Sequence, residues 1–166
     1  PGQNNPALKL ELTGAWNLEV LDLSYTKTSD ITLASLYVNG KPNFSSLRRL
    51  VISNTSLSTL KYNDRTPEYL DLTAFPDLES IEAISCKQLV EVRCKNDKTN
   101  PIEIPRGAFR DCISLQRVIG HLSLQGGEIF RGCSQFYLNP DSVYTQYGTD
   151  VFLEGNNVTN VSFGEE

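Results

Sequence analysis

The sequence predicts an α/β fold in the form of a right-handed solenoid, with short parallel strands, sparse helix and a C-terminal cap. Three observations point there. Phe109, Cys112 and Leu115 recur as Phe130, Cys133 and Phe136, each 21 residues later, with Arg110/Arg131 and Ser114/Gln135 beside them. Leu10, Leu12, Thr13, Leu18 and Leu21 recur as Leu70, Leu72, Thr73, Leu78 and Ile81, each 60 residues later. Within these copies runs a half-period, 10 residues from Leu47 to Leu57 and 11 from Leu78 to Leu89. A repeat this short cannot close a core alone and must bury its apolar edge against a neighbour.

Residues 1–6 form a polar lead-in. Residues 7–136 carry the repeats, irregular and strand-rich over 7–100 and tighter over 101–136. Leu8, Leu10 and Leu12 alternate with Lys9 and Glu11, which predicts a strand with one buried face. Leu18-x-x-Leu21-x-Leu23 is the strand signature of leucine-rich repeats. A third copy is expected to open at Leu36-Tyr37-Val38 and to resume at Leu47-x-x-Leu50-x-Ile52. Leu57-x-x-Leu60-x-Tyr62 and Leu89-x-x-Val92-x-Cys94 predict a second strand per repeat, on the opposite wall. Asn54, Asn63 and Asn96 lie at turns, where Asn tolerates unusual dihedrals and bonds nearby backbone. Asn54 is expected to point inward, too enclosed for a glycan. Residues 25–32 and 63–68 are longer than a corner needs and read as loops leaving the wall.

A short helix is expected at Ala108–Cys112. Residues 137–166 are assigned the cap that an open end requires. Asn139-Pro140 is a helix-start signal and predicts a short helix with Val143, Tyr144 and Tyr147. Strand-like pieces follow at 151–153 and 158–163.

Ile102-x-Ile104-Pro105-x-x-Ala108-Phe109-x-x-Cys112-x-Ser114-Leu115-x-x-Val118 resembles the leucine-rich repeat of the BspA-like bacterial surface proteins. The second copy is degenerate, with Ile129 where Ala is usual and Phe136 in place of Leu. Phe136 to Tyr144 resembles the segment that closes such arrays. The looser repeats of the first hundred residues resemble the irregular leucine-x-x-leucine-aspartate repeats of gut-anaerobe surface proteins. The resemblance implies a leucine-rich-repeat solenoid at a bacterial cell surface or secreted, with host-matrix or cell adhesion as the family-level role. It names no ligand.

Composition bounds the partners. A net charge of −5 over 166 residues disfavours nucleic acid and anionic membranes, which attract basic patches. No apolar run approaches a membrane span. The chain opens on Pro1 without a leader pattern, so it is expected to begin inside a larger product or after a removed leader. Cys112 and Cys133 read as buried free thiols. Cys86 and Cys94 lack metal-ligand spacing, and a disulfide between them is the alternative in an oxidising compartment. No cofactor or metal is expected, since zinc needs three or four converging N/S ligands.

His121 is the one histidine and reads as an exposed or satisfied corner residue. Paired carboxylates spanning a sugar-sized cleft are not suggested by residues scattered on strand-outward positions. Gly126-Gly127 lacks a phosphate-loop context. The Asn-x-Ser/Thr matches at Asn43, Asn54, Asn157 and Asn160 read as chance.

What remains is surface. On the wall expected from Leu18, Leu47, Leu78 and Leu115, the outward residues include Arg48, Arg49, Val51, Glu79, Glu82 and Arg117. Tyr62 and Tyr69 lie nearby. Arg and Tyr are over-represented at interface hot spots, so these residues form the candidate partner-binding wall. The plainer reading is a solvated wall whose charges neutralise one another. The sequence thus points to a non-enzymatic module that binds a protein. The alternatives are a spacer presenting a neighbouring glycan-binding or catalytic domain, and a hydrolase whose site the sequence does not display.

Overall fold

The computed structural model describes residues 9–12, 17–26, 30–33, 37–38, 41–42, 46–62, 68–137 and 143–147. Its first seven strands are β1 (Lys9–Leu12), β2 (Val20–Asp22), β3 (Asp30–Leu33), β4 (Tyr37–Val38), β5 (Lys41–Pro42), β6 (Arg49–Val51) and β7 (Leu60–Tyr62). The rest are β8 (Leu70–Asp71), β9 (Ser80–Glu82), β10 (Glu91–Arg93), β11 (Ile102–Ile104), β12 (Arg117–Ile119), β13 (His121–Gln125) and β14 (Val143–Tyr147). One parallel sheet has the order β2-β6-β9-β11-β13-β14, and two three-stranded parallel sheets are β1-β3-β7 and β8-β10-β12. From β8 to β13 the strands alternate between the large sheet and a small one. The half-period in the sequence is this alternation.

Registers follow the apolar repeats. Leu21, Leu50 and Ile81 lie side by side across the large sheet. Leu10, Ile31 and Leu60 do so in one small sheet, and Leu70, Val92 and Val118 in the other. Thr59 Oγ1 donates to the Tyr69 carbonyl at 3.0 Å, joining the start of β7 to the start of β8. Ile102-Glu103-Ile104 alternates buried, exposed, buried, as a half-buried strand must.

The corners between strands repeat a backbone conformation. Tyr25, Asn54, Ser85, Asp111 and Gly132 all have positive φ, at 58°, 57°, 57°, 62° and 77°. Hydrogen bonds put them in one column. Tyr25 N donates to Ser53 O (2.9 Å), Asn54 N to Ile84 O (2.7 Å), Ser85 N to Arg110 O (2.7 Å) and Asp111 N to Arg131 O (2.7 Å). The next residue in each corner is a small donor: Thr26, Thr55, Cys86, Cys112 or Cys133. Thr55 Oγ1 donates to Ile52 O at 2.7 Å. The thiols of Cys86, Cys112 and Cys133 reach one repeat back, to Ile52 O (2.9 Å), Ala83 O (2.8 Å) and Phe109 O (2.9 Å). That is why cysteine recurs at this position: it fills an apolar corner and still adds a second donor to a carbonyl that already accepts one bond.

Inside the corners the core is continuous. The Phe109 and Phe130 rings lie 5.7 Å apart and 3° from parallel, and Phe130 and Phe136 lie 3.9 Å apart at 14°. Leu57, Leu89, Leu115 and Phe136 are all buried beside them.

Several expectations are corrected. Residues 106–111 form turns, and no helix occurs among the described residues. The N–H groups of Gly107, Phe109 and Asp111 donate to Gly127, Ile129 and Arg131, so they cannot serve a helix of their own. Val143–Tyr147 is a strand paired along its length with β13, because the open sheet edge offers it hydrogen bonds that a helix would leave unmet. Asp30–Thr32 belong to β3, not to a loop. Tyr37–Val38 pairs with Lys41–Pro42 in an antiparallel hairpin, not in a repeat; the intervening Asn39-Gly40 is the strongest two-residue hairpin signal. Leu115 precedes β12, so it stands with Leu89, not on the wall of Leu18, Leu47 and Leu78. The lead-in at 1–6, the insertion at 63–67 and the cap pieces after 147 lie outside the described residues.

Phe130 sits between two stacked rings. Phe130→Ala is expected to cost about 3–5 kcal/mol in urea unfolding, while half-exposed Ile113→Ala is expected to stay within about 0.5 kcal/mol.

Candidate functional site

With the core closed, the outer faces of the sheets carry the chemistry. On the large sheet, β2, β6 and β9 place Arg48, Arg49, Val51, Glu79 and Glu82 together. Arg48 pairs with Glu79 at 3.5 Å, and Arg49 forms an ion pair with Glu82. Each cation there has a carboxylate from the next strand. Val51 stands in register with Asp22 and Glu82 and is only 7% exposed, so it offers a partner little surface.

The remaining predicted residues fall elsewhere. Tyr62 belongs to β7 in a different sheet, and its side chain lies outside the described residues. Tyr69 and Arg117 belong with β8 and β12, so the single wall expected from the sequence is divided between sheets. On this second face Glu91 is the centre. It is in register with Arg117. Its carboxylate accepts a hydrogen bond from Arg93 and another from Arg117 Nε at 2.6 Å. The Arg93 guanidinium lies 3.7 Å above the Tyr69 ring, and Arg117 donates to the Tyr137 hydroxyl at 2.9 Å. Burial pushes the Glu91 carboxyl up, but the hydrogen bonds from Arg93 and Arg117 outweigh it and hold the group below the ordinary range. The carboxylate is therefore ionised and fixes both guanidiniums.

Beside this network Val90, Gln116 and Tyr137 form a row through backbone bonds from Gln116 N to Val90 O (2.8 Å) and Tyr137 N to Gln116 O (2.9 Å). Val90 is 41% exposed and Tyr137 45%. The face thus offers two aromatic rings, two oriented guanidiniums and an exposed aliphatic group. Glu91, Arg93 and Tyr137 were not singled out in the sequence. The alternation of Glu91 and Arg93 around Val92 was the available sign, since both must then point away from the core.

No family model matches the chain, and no curated protein or solved structure matches it.

His121 and Asn54 differ from expectation. His121 is 7% exposed, at the start of β13, and neither ring nitrogen has a hydrogen-bond partner among the described residues. It is buried and not exposed, because the pairing of β13 with β14 places this position inside the sheet. Asn54 is exposed, and the inward position falls to Thr55 instead. Asn43, Asn157 and Asn160 lie outside the described residues. All four cysteines are free and buried, so Cys86 and Cys94 are not linked. Burial raises the Cys86 thiol and pushes Cys94 up to about 12. The contact with Cys133, then burial, raises Cys112. These thiols are protonated and poor nucleophiles. Among the described residues no three or more His, Cys, Asp or Glu side chains converge as metal ligands, and no helix is long and apolar enough to cross a membrane.

A carboxylate held low when folded stabilises the fold above its unfolded pKa, and that contribution is lost as pH falls through the folded value. Glu91→Gln is therefore expected to destabilise by about 1–3 kcal/mol at neutral pH. The gap to wild type should narrow in urea titrations as pH falls below the ordinary glutamate value of 4.5.

Proposed function

We propose that the chain is a right-handed leucine-rich-repeat solenoid of the BspA-like kind, working as a non-enzymatic protein-interaction module. Its setting is a bacterial cell surface or the secreted fraction, where adhesion is the role the resemblance implies. The partner is a protein, bound on the face of β8, β10 and β12. One observation carries this reading: Glu91 holds Arg93 and Arg117 in place, with Tyr69 and Tyr137 against them and Val90 open beside them. Interfaces draw their affinity from such aromatic and arginine anchors, and pre-ordered side chains lose less entropy on binding. The solenoid reading is supported by the in-register parallel strands and the corner column.

A spacer role is the second reading, and the large sheet favours it. There Arg48 and Arg49 are already neutralised by Glu79 and Glu82, as on a surface that meets only solvent.

The two readings separate by mutation. Proteins captured from a bacterial-surface or host-matrix extract are identified and titrated against two double variants. Tyr69→Ala with Tyr137→Ala is expected to weaken binding at least tenfold, about 1.4 kcal/mol or more, with a melting temperature close to wild type. Arg48→Ala with Arg49→Ala is expected to leave binding near wild type. Unchanged affinity in the tyrosine variant would remove this face from the function.

A further inference from the structure

A second surface feature lies in a different part of the molecule. Between the corners at Asn54 and Ser85 the surface sinks into an open depression of about 380 Å³. It is lined by Asn54, Thr55, Ser56, Ser85, Lys87 and Gln88, all polar. Small-molecule sites start at roughly 300 Å³. Thr55 is committed to the Ile52 carbonyl. The side chains of Asn54, Ser56, Lys87 and Gln88 are exposed and take no part in the protein's own hydrogen bonding among the described residues.

The donor set has a definite character. Asn54 and Gln88 each offer a carbonyl acceptor and an NH₂ donor, and the serines offer hydroxyls that do both. Such groups match the adjacent hydroxyls of a sugar ring, which also donate and accept. Lys87 is the one charge in the lining and is donor-only, so it favours a carboxylate on that sugar.

The second observation is Tyr25. It occupies the same corner column one repeat away, through its N–H bond to Ser53 O at 2.9 Å. It is 83% exposed, with φ at 58°. A bulky side chain in left-handed backbone is strained, and the same column holds glycine at Gly132, where the strain vanishes. Folding gains nothing from Tyr25 here, since its ring stays in solvent. Strain of this kind gathers at functional sites. Tyr25 does not line the depression itself; its exposed ring stands one corner along the column from Asn54, where it offers a sugar an apolar surface.

We propose that this depression binds an acidic sugar unit, with Lys87 pairing its carboxylate, Asn54, Ser56 and Gln88 its hydroxyls, and Tyr25 its apolar face. The site is separate from the face of β8, β10 and β12, so either can fail alone.

Glucuronic acid is the probe and glucose the uncharged control, each titrated into the full chain and followed by backbone amide NMR. Glucuronic acid should give saturable shifts at Asn54, Ser56, Ser85, Lys87 and Gln88, with glucose weaker. Lys87→Gln should lower affinity about tenfold, as expected for losing one charge-assisted hydrogen bond. Tyr25→Gly should keep or raise the melting temperature, because strain is relieved, while binding weakens. Absence of saturable shifts at these residues overturns the proposal. So does equal affinity for the two sugars, or wild-type affinity in Tyr25→Gly.

Discussion

A backbone N–H turned away from its own repeat must find a carbonyl in the next one. This constraint organises the molecule. In the corners, Asn54, Ser85 and Asp111 donate to Ile84, Arg110 and Arg131. Meeting that demand at every level requires the same left-handed residue at the same place. It then puts a small buried donor immediately after it. Threonine serves at Thr55, where its hydroxyl closes on its own corner at Ile52 O. Cysteine serves deeper in the array, where Cys112 and Cys133 lie among phenylalanine and leucine and a weak donor is enough. Burying a thiol costs far less than burying a hydroxyl with imperfect partners.

Once the corners are satisfied, the interior can be apolar throughout. The stacked rings of Phe109, Phe130 and Phe136 and the row of Leu57, Leu89 and Leu115 are consequences of that. The polar groups are left to the outside, and the outside is uneven. On the large sheet, opposite charges on adjacent strands cancel. On the face of β8, β10 and β12, one carboxylate at Glu91 serves two arginines and leaves both guanidiniums with donors to spare. The corners themselves differ: some carry glycine, while Tyr25, Asn54 and Ser85 keep side chains in a conformation that glycine would adopt more easily.

Much of this was legible in the sequence for a simple reason. Burial imposes a period, and Leu21/Ile81 and Phe109/Phe130 keep theirs across insertions. Free, buried cysteines were readable because Cys112 and Cys133 take matched apolar positions. The helix at 108–112 was misread because an Ala-Phe pair looks helical, while the left-handed Gly107 and Asp111 and the bonds to the next repeat decide otherwise. The strand at 143–147 was hidden by Asn139-Pro140, a strong local signal that an open sheet edge overrides. The division of the outward residues between two sheets was missed through Leu115: its leucine-rich motif looks like that of Leu78, but it leads into the other sheet. Arg117 went with it, and its partners Glu91, Arg93 and Tyr137 could not be recognised without knowing which strand is next to which.

The most direct measurement is a set of nuclear Overhauser contacts in the folded protein. The account predicts contacts between the Phe109 and Phe130 rings, and between the β-protons of Cys112 and Cys133. It also predicts that the helix pattern, from Hα of one residue to Hβ three residues on, is missing across Ala108–Cys112. A helical pattern there, with no contact between the two phenylalanine rings, would contradict it.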